Sequence, residues 1–150
     1  MIEVLISCVI TPLLLTTDMV VEYRECQDIR TKLAYVVDWH DTVNNYFESE
    51  DDILRALGII YCESSGKPTA VGINSNGTKD VGLWQFNDDT WAWLTPKLGI
   101  IDTFEHRTNP QVSTAVAAWL VYNDGWHHWN SSKHCWKGTS NKMLRLNYDV

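Results

Sequence analysis

The chain has 150 residues, 45% of them hydrophobic, which is enough for one domain with a buried core. Its formal net charge of −7 excludes a nucleic-acid footprint and leaves no general attraction to anionic membranes or anionic wall polymers. Seven of the eight tryptophans fall in the second half, where core packing is their expected use and a few are available to stack on sugars.

Residues 2–15 form an apolar run shorter than the roughly 20 residues a membrane helix needs, so no stable membrane span is expected. The run reads either as the apolar part of a signal segment or as a retained strand or helix. It carries Glu3, has no Lys or Arg before it and lacks a clear cleavage site. From Glu22 to Phe47 the positions Cys26, Ile29, Leu33, Val36, Val37, His40, Val43 and Phe47 recur at helical spacing, predicting one amphipathic helix or two short ones.

Ser49, followed three residues later by Asp52, resembles a capping box and predicts a new helix from about Glu50. That helix carries Ile53, Leu57, Ile60 and Ser64 along one stripe, with Ala56, Ile59 and Glu63 beside it, and it ends before Gly66 and Pro68. Glu63 therefore lies in the last turn beside apolar neighbours. Desolvation and the helix dipole there both oppose a negative charge, so Glu63 is expected to hold its proton.

Asn76-Gly77 marks a hairpin turn that admits two registers. A two-residue loop mixes polar and apolar side chains on each face. A three-residue loop, Ser75-Asn76-Gly77, pairs Asn74 with Thr78, Gly72 with Asp80 and Val71 with Val81. This sorts a polar face (Asn74, Thr78, Asp80, Gly82) from a mostly apolar one (Val71, Ile73, Val81, Leu83), and is the expected register. Two carboxylates, Glu63 and Asp80, then sit on separate elements able to face each other across a cleft.

Asn87 is expected to cap a short helix ended by Pro96, and Asn109-Pro110 to start a core helix with a buried stripe of Val112, Ala115, Val116, Trp119 and Tyr122. Residues 125–136 read as an aromatic loop and 137–150 as a polar tail. The four cysteines form no C-x-x-C pair. His127, His128 and His134 cluster near Cys135, but adjacent histidines are expected to point apart, so neither a metal nor a cofactor is expected.

Glu63-Ser64-Ser65 followed by Gly82-Leu83-Trp84-Gln85-Phe86 resembles the Glu-Ser and Gly-Leu-x-Gln-x motifs of lytic transglycosylases. Residues 74–87 resemble still more closely the hairpin of animal-type lysozymes, and the seventeen residues from Glu63 to Asp80 match that family's spacing from acid to second carboxylate. Resuscitation-promoting factors and phage lysozyme modules are similar in a third way. In them a Cys before the catalytic Glu pairs with one in a Trp-rich C-terminal segment, which here implies a Cys62–Cys135 disulfide. Cys8 and Cys26 would pair only if the leader is kept. The animal-type lysozymes carry more disulfides than four cysteines can form, so the chain is not a close member of that family.

The resemblance implies an α+β, mainly helical lysozyme-like fold with a small antiparallel hairpin beside the cleft. The expected organisation is an apolar leader (1–15), a helical extension (16–48), a catalytic domain (49–136) and a tail (137–150). It makes Glu63 the general acid and Asp80 the nucleophile or charge stabiliser, with Asn74, Gln85, Asn87 and Trp91 at substrate-binding positions. The main functional expectation is a muramidase that hydrolyses the β-1,4 bond between N-acetylmuramic acid and N-acetylglucosamine in peptidoglycan or a related amino-sugar polymer. A lytic transglycosylase leaving 1,6-anhydro ends and a sugar-binding module without turnover are the alternatives. A virion component fits the extra N-terminal helix. The expected location is secreted, extracellular or virion-associated.

Overall fold

The computed structural model describes Cys8 and residues 16–139; the other residues expected to form an apolar leader, and residues 140–150 of the expected tail, lie outside the described residues. The Thr16 hydroxyl opens α1 (Thr17–Val36) by accepting from the Met19 amide, and Asp18 puts a negative charge in the first turn, where the helix dipole favours it. This helix starts earlier than Glu22 and stops at Val36, whose backbone leaves the helical region. A 3-10 turn (Val37–Trp39) and the short α2 (His40–Asn44) follow, which is the two-helix form of the expectation. Ile29, Leu33, Val36, Val43 and Phe47 are buried as expected, but Val37 is 38% exposed because the break after Val36 turns it out of the stripe. Among the described residues no helix is long and apolar enough to cross a membrane.

Ser49 caps α3 (Glu50–Ser64), accepting from the Asp52 amide and donating to the Asp52 carboxylate, with three acids in the first turn. Its stripe is buried as the spacing predicts, and the helix ends where Ser65 takes a left-handed conformation ahead of Gly66. Helix α1 packs on α3 through the common core, so it buries its apolar face against the helix that carries Glu63. Disulfides Cys62–Cys135 and Cys8–Cys26 both form, the first tying α3 to the C-terminal segment.

The sheet is antiparallel in the order β1 (Val71–Ile73), β2 (Lys79–Val81), β3 (Phe86–Asn87). Val71 pairs with Val81, Gly72 with Asp80 and Ile73 with Lys79, the three-residue-loop register, with Gly77 at φ 86° closing the turn. The apolar face is only half used. Val81 and Leu83 are fully buried, whereas Val71 and Ile73 are 45% and 76% exposed because the hairpin tip stands off the core. The short third strand, absent from the sequence reading, pairs Asn87 with Asp80.

Asn87 caps α4 (Asp88–Leu98), which runs through Pro96 and ends instead at Gly99. Pro96 deprives the Ala92 carbonyl of its helical partner, but Ala92 is exposed, so water is at hand to replace the lost donor. Helix α5 (Phe104–Thr108) leads into α6 (Pro110–Asp124), capped by Asn109 as expected. Most faces of α6 are buried, so its periodicity is a poor guide; Tyr122, placed on the expected stripe, is 46% exposed and accepts from the Glu48 amide through its hydroxyl. Residues 126–136 are not a loop. They form a 3-10 segment (Trp126–Ser132) and α7 (Lys133–Trp136), nailed down by the Trp129 indole donating to the Trp84 carbonyl and the Trp136 indole to the Trp129 carbonyl. Trp84, Trp91, Trp129 and Trp136 are core residues, while Trp93 is 48% exposed under the Lys97 ammonium.

Candidate active site

Glu63 is held between two anchored neighbours. Cys62 is bonded to Cys135, and the buried hydroxyl of Ser64 reaches the Leu83 carbonyl at 2.9 Å. The Glu-Ser-Ser and Gly-Leu-Trp-Gln stretches, distant in sequence, are thus joined at the end of α3. Gly82 has φ 85°, and a Cβ there would lie 2.4 Å from the Arg107 carbonyl oxygen, so no other residue fits this approach. The chain then turns through Gln85, itself left-handed at φ 49°, whose side-chain nitrogen donates to the carbonyls of Ala70 and Gly82. Gln85 lines the cleft, but both of its amide hydrogens are used to shape the loop.

Asp80 projects from β2 on the polar face. Its Oδ2 accepts from Asn74 Nδ2 at 3.0 Å and its Oδ1 from Asn87 Nδ2 at 2.8 Å, while both amides also contact the Thr78 hydroxyl. Asn87 turns its own oxygen to the Asp89 amide as the α4 cap. Asn74 and Asn87, expected to contact substrate, are therefore the groups that orient Asp80. Trp91 differs from its expected position more sharply: it has no exposed surface, packs on Phe86 and presents no face to a sugar.

Glu63 and Asp80 line one cleft of about 170 Å³ together with Gln85, Asn87, His128 and Trp129. Burial pushes the Glu63 carboxyl above the usual carboxylate range. The Ser132 hydroxyl, donating to Glu63 Oε1 at 2.5 Å, pulls the other way, and the negative charge of Asp80 adds a smaller upward push. The half-buried carboxyl is thereby kept nearer its protonated form while the second carboxylate is held in place by two amide donors. That arrangement can deliver a proton to a leaving oxygen and face the charge that then develops.

Ser132 and His128 were not legible as site residues, because the segment carrying them read as a loop. The one available signal was the Cys62–Cys135 pair, which sets the turn before Cys135 beside Glu63. Cys135 is consumed by its disulfide, and the expected divergence of His127 and His128 is not found: their ring centroids lie 4.2 Å apart.

A mainly helical fold with a small sheet, an acid closing a core helix and a carboxylate facing it from a hairpin together define a protein of the lysozyme-like superfamily. The family model for the Transglycosylase SLT domain matches residues 45–129, more than half of the chain, and the chain belongs to that family. This is a class of peptidoglycan-acting enzymes. No curated protein and no solved structure matches the chain.

Proposed function

We propose that the protein cleaves the β-1,4 bond between N-acetylmuramic acid and N-acetylglucosamine as a lytic transglycosylase, with Glu63 as its acid and base. The observation that carries this is the half-buried Glu63, raised in pKa, at the end of α3 within the matched SLT domain. Glu63 protonates the glycosidic oxygen, the bond to C1 breaks, and positive charge develops on the sugar ring. The 6-hydroxyl of the muramic acid then bonds to C1, returning its proton to Glu63 and leaving a 1,6-anhydro end. Both disulfides suit work outside a reducing compartment, in a secreted, extracellular or virion-associated setting.

One observation favours hydrolysis as a second reading. Asp80 faces the same cleft, each oxygen held by an amide donor, as a nucleophile or charge stabiliser would be. Mass spectrometry of digested peptidoglycan separates the two. The transglycosylase reading expects mainly anhydro-muropeptides and only a modest loss in Asp80→Asn. Reducing ends together with a large loss in Asp80→Asn would replace it by the muramidase. Sugar binding with no cleavage at all would leave an inactive lysozyme-like module.

A further inference from the structure

At the rim of the cleft, the end of α6 and the 3-10 segment bring together three potential ligand atoms that the chemistry above does not use. The Oδ2 of Asp124 lies 2.7 Å from His128 Nε2 and 3.6 Å from His127 Nε2, and one ligand atom from each residue falls within 4.8 Å of the others. Gly125, at φ 93°, ends α6 between the carboxylate and the histidines. Both imidazoles thus present Nε2 to the same oxygen, although adjacent side chains on a regular helix would diverge.

We propose that Asp124, His127 and His128 form a binding site for a divalent transition-metal ion of the zinc class. Two imidazole nitrogens and one carboxylate oxygen are a donor set that suits zinc, nickel or copper and ill suits magnesium or calcium, which prefer all-oxygen sites. The side chains of Asp124 and His127 are 49% and 56% exposed, so an ion can enter without unfolding anything. Three protein ligands leave further positions to water. This departs from the sequence expectation that no metal is held here; of the residues clustered in sequence, Cys135 is spent in its disulfide and the grouped ligand atoms are those of Asp124, His127 and His128.

His128 also lines the cleft, so an ion held there occupies part of the wall that substrate must pass. A bound ion therefore lowers cleavage, a consequence that rests on the function proposed above, whereas binding itself does not.

The test is calorimetric titration of zinc chloride into the full, oxidised chain after chelator treatment. The expected result is one ion per chain, bound about tenfold or more weakly by Asp124→Asn and by His127→Gln, and unchanged by His134→Gln. Absence of one-to-one binding, equal affinity in His127→Gln, or loss of binding in His134→Gln would overturn the site. Both ligand variants change exposed side chains, and circular dichroism checks that they fold. In a second arm, zinc slows peptidoglycan cleavage by the wild type and not by His127→Gln. Equal inhibition of both would overturn the cleft consequence, while no cleavage in metal-free buffer would count against the proposed function and leave the binding result standing.

Discussion

Ser132 donates its hydroxyl hydrogen to Glu63 Oε1 at 2.5 Å, reaching from the C-terminal segment to the end of α3 across a sequence distance of 69 residues. The contact stabilises the ionised carboxyl, against the larger effect of burial and against the smaller upward push of the Asp80 charge. Removing either neighbour therefore moves the Glu63 pKa in opposite directions. In Ser132→Ala the high-pH limb of kcat/KM shifts to higher pH, and in Asp80→Asn it shifts lower. A pH profile of cleavage for the two variants checks this, and shifts of the same sign, or none, would show that Glu63 is not the group that titrates. A change in fold alone would not produce the opposed pair.

Replacement of Glu63 by Gln is expected to abolish cleavage while leaving sugar binding, because the amide keeps the shape and has no acid proton to give. General acid catalysis is worth roughly 10²- to 10⁴-fold in rate, so the loss should lie at least in that range. Turnover near the wild-type level in the purified variant would sink the assignment.

The same substitution has an expected effect on stability. The folded-state pKa of Glu63 lies above its unfolded value of about 4.5, so its favourable contribution is complete below that value and is lost as pH rises through the folded pKa. Glu63→Gln removes the cost of a half-buried charge and should melt at or above the wild-type temperature at about pH 7, with the gap closing at about pH 4. Thermal melts at the two pH values test it, and a variant less stable at neutral pH would contradict it.

Reduction of Cys62–Cys135, or Cys135→Ser, is expected to destabilise the fold by about 4 kcal/mol, since the disulfide closes a loop across a separation of 73 residues. Because α7 also follows directly on Ser132, loss of the bond should raise the Glu63 pKa limb as Ser132→Ala does. Denaturant unfolding of the oxidised wild type and of Cys135→Ser, which leaves Cys8–Cys26 intact, measures the first effect, and an unchanged midpoint would refute it.

Gly82→Ala should cost at least about 2 kcal/mol, because the left-handed backbone and the 2.4 Å approach of the Arg107 carbonyl leave no room for a Cβ. The opposing atom is backbone and cannot rotate away. A folded variant with wild-type stability in denaturant would mean that this loop is not built as described.

Local rules were enough wherever a short stretch carries its own geometry. Ser49 and Asp52 specify where α3 begins, Asn87 and Asn109 where α4 and α6 begin, and Asn76-Gly77 with alternating side chains determines a register that puts Asp80 on the polar face. Glu63 could be placed at a helix end beside apolar neighbours for the same reason, since periodicity and stop signals act within a few turns. What surrounds these two carboxylates was decided by tertiary structure. The third strand that lets Asn87 hold Asp80, the burial of Trp91, and the folding of residues 126–136 into helical turns all depend on partners far along the chain. Tryptophan spacing cannot say whether an indole faces the core or a sugar, because both environments reward the same apolar ring with one donor. Only packing could settle that, and only packing brought Ser132 to Glu63 and the two histidines to Asp124.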